Sequence, residues 1–354
     1  MSTRLTAPAG TARRIHINWR ASRCRRYVTF ELNLWDQWLK SHVARSIMQL
    51  IRGPEGFRGR SAGCALTIGT YDGIHLGHQA LIARLREHAA RLGTPSVLLT
   101  FEPTPREYLA PSDPPARLTS LRERWRILSG LGLDYLWLLR FGEALRNLSA
   151  EGFAQLLVCE LAPKIVVVGH DFRFARRGEA TATILAEAGR RLGFEVDVLP
   201  AVTLDGERIS SSGVRAALAR SDFERARGWL GRPWSMRGRV QPGRALGAQL
   251  GFPTANVPLE RRRSPVAGIF AVRVRGVGRG ERAGVASLGT RPTIGGTEAL
   301  LEAHVFDFEG DLYGREIEVE FVARLRDEER FASLEALSRQ MERDAAEARR
   351  ILSA

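Results

Sequence analysis

The stretch "CALTIGTYDGIHLGHQ", Cys64 to Gln79, decides how the first half of this chain is read. "CALTI" is a short apolar run of strand length. Beyond the quoted residues, Leu81, Ile82, Leu85, Ala89 and Leu92 recur at helical spacing. Between strand and helix lie Gly69, Gly73 and Gly77, with His75 and His78 three residues apart. Paired histidines allow three readings: a metal site, a receiver for phosphate, or packed polar residues in a turn. A metal needs at least a third ligand, and Asp72 is the only obvious neighbour, with no HExxH or CxxC to help. At a helix N-terminus the free backbone N–H groups favour an anion, and Gly73 and Gly77 let the backbone approach it closely.

Working outward, "SVLLTF", "DYLWLLRF", "KIVVVG" and "FEVDVLP" are further strand candidates separated by amphipathic helices. Ser149 reads as an N-cap with Glu151 in the first turn. Continuous β-branched runs alternating with helices predict a five-stranded, doubly wound parallel sheet covered on both faces. Ligands in such sheets collect at the carboxyl ends of the strands.

After "LGRPW" the rhythm changes. "SMRGRVQ", "GIFAVRVRGV", "ERAGVASLG", "LLEAHVFDF" and "REIEVEFVARL" follow one another without intervening helices. Ile317, Val319 and Phe321 alternate with Glu316, Glu318 and Glu320, as on a half-buried antiparallel strand. About six short strands predict a small closed antiparallel barrel. A closing helix carries Leu334, Leu337, Met341, Ala345, Ala348 and Leu352 on one face. The expected division is therefore a basic leader at 1–47, disordered or loosely structured, an α/β domain at 48–232 and a barrel domain at 233–354, with Met48 as the functional start.

At 354 residues, 44% apolar and 26% charged, the composition is that of a soluble globular protein, and even "LDYLWLLRF" breaks at Arg140, so no membrane span is expected. Cys24, Cys64 and Cys159 have neither zinc nor CxxC spacing, which suits a reducing, cytoplasmic compartment. The net charge of +14 invites a nucleic-acid reading. Half of that excess sits in residues 1–47, and all basic residues except Lys40 and Lys164 are arginine, a skew that points to codon composition. The leader, with seven arginines and no acid in its first 26 residues, has the composition of a transit peptide or of upstream read-through. Nucleic acid is therefore not the expected partner; small molecules are.

Two further segments carry chemistry. In "ISSSGVRAAL", hydroxyls at Ser210 and Ser211 can cap a helix and bind phosphate through the same N–H groups, and Arg215 offers a guanidinium fork. An ordinary serine N-cap is the plainer reading. In the second half "GRALGAQLGFPTANV" is glycine-rich at Gly243, Gly247 and Gly251 but lacks GxxxxGK[ST], which excludes a P-loop. Thr254 and Asn256 are two apart, so on an extended segment both present oxygens to one side, as a hard cation such as Mg²⁺ prefers. Glu302 shares a face with His304, Phe306 and Phe308; it is either a solvated strand residue or a general base for a hydroxyl.

The pairing of HxGH with a later Ser-Ser…Arg segment resembles the HxGH nucleotidyltransferase superfamily. The longer pattern, "TIGTYDGIHLGHQALI", "TFEPTPRE", "VVVGHDFRFARRG" and "ISSSGVRAALARSDFERARGWLGRPW", resembles the FMN adenylyltransferase module of prokaryotic bifunctional riboflavin kinase/FAD synthetase. "LGFPTANV", "LGTRPTIGG" and "LEAHVFDFEGDLYGREIEVEF" resemble its riboflavin kinase domain, a six-stranded barrel. The resemblance implies ATP-dependent conversion of riboflavin to FMN and of FMN to FAD, with Mg²⁺ at Thr254 and Asn256. By it, His75, His78 and Glu302 are catalytic, and nucleotide contacts fall at Gly69, Asp72, Gly77, Asp171, Ser210, Ser211, Arg215, Gly243, Gly247 and Gly251. Flavin contacts fall at Phe101, Phe172 and Arg326. Three positions depart from the family pattern: Thr104 for a histidine, Gly213 for an arginine and Ser287 for an asparagine. The first two define an alternative, a kinase with a weakened adenylyltransferase domain.

Overall fold

The computed structural model describes residues 15–17, 48–53, 63–243, 247, 250–259, 261–293 and 296–353. In chain order the first half comprises β1 (Ile15–Ile17), β2 (Gln49–Arg52), β3 (Cys64–Ile68), α1 (Leu76–Leu92), β4 (Ser96–Glu102), α2 (Pro105–Leu109), α3 (Leu121–Ser129), β5 (Tyr135–Arg140) and α4 (Glu143–Arg146). It continues with α5 (Ala150–Leu161), β6 (Pro163–Gly169), β7 (Arg173–Phe174), β8 (Ala180–Thr181), α6 (Ala182–Leu192), β9 (Glu195–Leu199), β10 (Val202–Leu204), β11 (Glu207–Arg208), α7 (Ser211–Ala219) and α8 (Phe223–Leu230).

The parallel sheet has the order β2-β5-β4-β3-β6-β9. It has six strands rather than the expected five, because β2, a four-residue edge strand, is too short to show a period. Alternation along β3 divides the core. Cys64, Leu66 and Ile68 face one apolar cluster with Phe153, Leu157 and Leu185, whereas Ala65 faces another with Ile82, Leu85 and Leu128. Helices thus cover both faces. The chain leaves β3 toward β4 and later returns to β6 on the other side, so the topological switch lies at β3, directly below the N-terminus of α1. From the leader, β1 pairs with β10; the remainder of residues 1–47 lies outside the described residues.

The second half contains β12 (Ser235–Arg239), β13 (Ala255–Pro258), β14 (Gly268–Arg275), β15 (Glu281–Thr293), β16 (Gly296–Val305), β17 (Glu316–Arg326) and α9 (Leu334–Ser353). All pairings are antiparallel, in the order β12-β17-β14-β15-β16-β13. The ends of this sheet nearly meet: a side chain at Gly238 on β12 would fall 2.5 Å from Val257 on β13, which is why glycine stands there. On α9, Ala348 is buried against the barrel as expected, but Leu334 is 53% exposed, and buried Asp344 replaces an apolar residue because Arg326 and Gln340 bind it.

The apolar core does not stop between residues 232 and 233. Val214, Leu218, Phe223 and Trp229 of α7 and α8 share one cluster with Met236, Phe270, Leu301 and Phe321 of the barrel. Phe223 packs edge-on to Phe270 at 6.0 Å and stacks on Phe321 at 6.2 Å. A buried ion pair reinforces the junction: Arg261 donates to Glu123 at 2.5 Å, and Glu123 also accepts from the backbone N–H groups of Ser120 and Arg237. Removing one partner of a buried pair strands the other charge in low dielectric. Arg261→Ala is therefore expected to destabilise the protein by about 3–5 kcal/mol, read as a lower urea midpoint.

Candidate functional sites

The first site begins with a distorted turn. Tyr71, Gly73 and Ile74 all have left-handed backbones, with φ of 51°, 83° and 44°. Tyr71 and Ile74 are completely buried in the core, and the Tyr71 hydroxyl bonds Thr67 Oγ1 at 2.5 Å, so packing holds residues that would otherwise avoid this region. Asp72 is fixed from several directions: its carboxylate accepts from the backbone N–H groups of Leu118 and Thr119 and from Arg215. Gly73 N–H donates to Thr119 Oγ1 at 2.9 Å.

His75 is the N-cap of α1, its Nδ1 accepting from the His78 backbone N–H at 3.3 Å. An accepting Nδ1 puts the ring proton on Nε2, leaving that nitrogen as a donor. The two imidazoles stack at 3.7 Å between centroids, 18° from parallel. A side chain at Gly77 would lie 3.1 Å from the His75 ring, so this glycine makes room for the stack. The first turn of α1 contains no acidic residue to compete for its N–H groups. Buried His78 Nδ1 has no hydrogen-bond partner among the described residues.

Burial lowers His75 well below the ordinary histidine range; the neighbouring His78 and Arg232 act in the same direction, while Asp72 and Asp171 oppose them. Burial, assisted by the Arg232 charge, brings His78 down to about 3. Both rings are neutral donors at neutral pH, not cations. An unfolded chain protonates them near 6.5 while the fold does not, so their contribution to stability is complete above that pH and is lost progressively toward about 3. Urea midpoints are expected to fall on acidification through this window, and His78→Gln is expected to flatten the slope.

The second helix terminus at this site is α7. Ser210 caps it by accepting from Gly213 N–H at 3.1 Å, and Ser211 Oγ donates to the Asp72 carbonyl at 2.8 Å. The N-termini of α1 and α7 are thereby tied through one residue. Arg215, read as a phosphate fork, has Nε on the Ala116 carbonyl and one Nη on Asp72. Gly69 donates its N–H to the Leu99 carbonyl, and a side chain there would press on Tyr71. Asp171 is exposed and paired with Arg208; Phe172 stacks on Phe174 at 5.5 Å; Phe101 is buried against Phe141. Arg232 was not anticipated, although its position after the α8 C-cap Gly231 and before Pro233 marks a junction that must be held.

The second site is a row across three barrel strands. Glu302 on β16 is directly opposite Asn256 on β13 and Ser287 on β15, so the three side chains share one face. Leu301, Ala303 and Val305 are buried on the other face, as the alternation requires; Phe306, just past the strand, breaks it and lies buried beneath Arg349. Asn256 Nδ2 donates to the Thr254 carbonyl at 3.3 Å, while its buried Oδ1 has no partner among the described residues. Gly243 lies over Asn256, where a side chain would approach within 2.3 Å. Gly247 similarly abuts the Phe252 carbonyl, and Gly251 has φ of 83°. Ser287 Oγ donates to Glu328 at 3.1 Å. Arg326 grips Asp344 at 2.8 to 3.0 Å and lies 5.5 Å over Phe331.

The orphaned Asn256 amide oxygen, on the residue directly opposite Glu302, is an oxygen donor of the kind a hard cation takes. Among the described residues no three His, Cys, Asp or Glu side chains gather into a closed metal cage. Such an open arrangement fits Mg²⁺, which keeps waters and substrate oxygens among its ligands.

Residues 58–213 match the FAD synthetase family model and residues 230–352 match the riboflavin kinase model. A Pseudomonas fluorescens protein is 47% identical over 304 residues, 85% of this chain and 97% of the relative. An Escherichia coli K12 protein is 44% identical with the same coverage, and both are described as bifunctional riboflavin kinase/FMN adenylyltransferase. The chain belongs to this bifunctional family. A crystal structure from Streptococcus pneumoniae, described as a macrolide-efflux protein, is similar with a TM-score of 0.69 at 31% identity, covering 84% of this chain and 97% of that one. Among the described residues no helix is long and apolar enough to cross a membrane.

Within the family, two of the departures have local causes. Thr104 forms a capping box with Glu107 at the start of α2, and Glu107 is clamped by Arg117. Gly213 faces the Trp229 ring, which would be 2.0 Å from any added side chain, so no arginine fits there.

Proposed function

We infer that this chain makes flavin cofactors in two successive reactions: the barrel phosphorylates riboflavin with ATP to give FMN and ADP, and the α/β domain joins FMN to AMP from a second ATP, giving FAD and pyrophosphate. The observation that carries the residue assignment is the neutral His75–His78 stack at the α1 N-terminus, tied to the N-terminus of α7 at the switch point of the sheet.

In adenylyl transfer the FMN phosphate oxygen attacks the α-phosphorus of ATP and the bond to pyrophosphate breaks. The nucleophile is already an anion, so the enzyme's tasks are alignment and stabilisation of growing charge. Donation from the imidazole N–H groups and the free N–H groups of the α1 first turn supplies that stabilisation without a charged side chain. Thr104 and Gly213 leave these donors in place.

In phosphorylation Glu302 takes the proton of the ribityl 5′-hydroxyl as that oxygen attacks the γ-phosphorus and ADP leaves. Thr254 and Asn256 would hold Mg²⁺, which when bound neutralises phosphate charge. A side chain at Gly243 would collide with Asn256, so the glycine there leaves backbone beside that amide. Riboflavin and ATP are soluble small molecules, so the reading needs neither nucleic acid nor membrane and places the work in the cytoplasm. Chromatography of flavins after incubation with riboflavin, ATP and Mg²⁺ tests it: FMN followed by FAD is expected, and FMN alone would leave only the kinase.

A further inference from the structure

We propose that Arg232, at the junction between the two halves, is a positioning residue for adenylyl transfer: its guanidinium holds the turn that aims His75 and His78. The proposal rests on the assignment of those histidines to AMP transfer.

The Tyr71–Ile74 turn has an unusual need. Three of its four residues are left-handed, two of them bear large side chains, and Ile74 is β-branched. Such a backbone persists only where its surroundings over-determine it. Its Gly73 N–H and the Asp72 carboxylate are accounted for by Thr119, Leu118 and Arg215. The carbonyls of Gly73 and Ile74 remain, and polar groups removed from water need partners.

Arg232 supplies them. Its Nη2 donates to Gly73 O at 2.7 Å, and Nη1 donates to both Ile74 O and Leu230 O at 3.2 Å. Gln79 Nε2, from α1, reinforces the same two carbonyl positions, Ile74 O at 3.0 Å and Leu230 O at 2.9 Å. One planar fork therefore joins the turn before His75 to the last residue of α8, a geometry that a lysine point donor does not reproduce. The same arginine precedes Pro233 and β12, so the entry into the barrel fixes where it lies. Glu123 and Glu318 face it across a cavity of about 190 Å³ between the two halves.

Electrostatics agree with geometry. Burial brings Arg232 down to about 10, so it remains charged at neutral pH. That charge faces both imidazoles and helps keep them unprotonated, opposed at His75 by Asp72 and Asp171. None of its hydrogen bonds reaches the Asn256–Glu302–Ser287 row.

The test uses the full chain carrying Arg232→Ala, assayed in one preparation for pyrophosphate release from FMN plus ATP and for riboflavin phosphorylation. Adenylyl transfer kcat is expected to fall about 100-fold, the size of effect that misplaced catalytic groups produce. The KM for ATP and the kinase rate should stay unchanged. Guanidinium chloride at millimolar concentration, entering the cavity, should restore part of the lost kcat, and should restore none in His78→Ala. Wild-type adenylyl kcat in Arg232→Ala overturns the proposal, and so does a parallel fall of both activities, which would make Arg232 a folding residue only. If that variant does not fold, Arg232→Lys carries the test: it keeps the charge without the fork, and a wild-type kcat there overturns the proposal equally. Full adenylyl transfer by His78→Ala would instead remove the assignment beneath it.

Discussion

His78→Ala incubated with riboflavin, ATP and Mg²⁺ is expected to accumulate FMN and to form FAD about 10²–10³-fold more slowly, the loss that follows removal of one preorganised donor to a developing charge. The ring is half of a stack with His75, while the His78 backbone N–H that caps His75 Nδ1 survives the substitution, so the loss reports the His78 imidazole itself. Kinase activity should persist, because the barrel row contains no residue of this turn. Chromatography of the flavins reads both steps together; normal FAD output would sink the role given to the histidines.

Glu302→Gln is expected to produce the complementary defect. The amide keeps the shape of the side chain and its register opposite Asn256 and Ser287, but it cannot take the proton of the ribityl hydroxyl. Riboflavin phosphorylation should fall by about 10²–10⁴-fold, the usual worth of a positioned general base. Supplied FMN should still become FAD. Loss of both reactions would point to damaged folding and would not support Glu302 as the base.

Much of this architecture was legible because its elements announce themselves at short range. "CALTI" followed by helical spacing predicted a strand entering a helix, and β3 and α1 are there. The period-2 run from Glu316 to Phe321 predicted β17. The edge strand β2 escaped notice because four residues carry too little pattern. Asp344 escaped too: an apolar helix face contains a buried carboxylate only because a distant arginine binds it, a long-range fact that no local periodicity encodes.

At the sites, residue types were legible and their partners were not. The sequence offered Arg215 as a donor to phosphate, yet the fold gives part of its guanidinium to Asp72, 143 positions away. It offered Gly213 as a lost arginine, whereas the position faces Trp229. Arg232 had no motif to recommend it; only the backbone carbonyls of a strained turn, 159 and 158 positions earlier, reveal its place.

The helix α8, wedged by Phe223 onto Phe270 and Phe321, changes where one half ends for anyone who would exchange parts between relatives. A graft cut at Gly231 would transplant the barrel without the aromatic stopper that its interior was built around. A chimera has to keep α8 with the strands it plugs, while Ser211 and Arg215 of α7 have to stay with the Asp72 turn they bind.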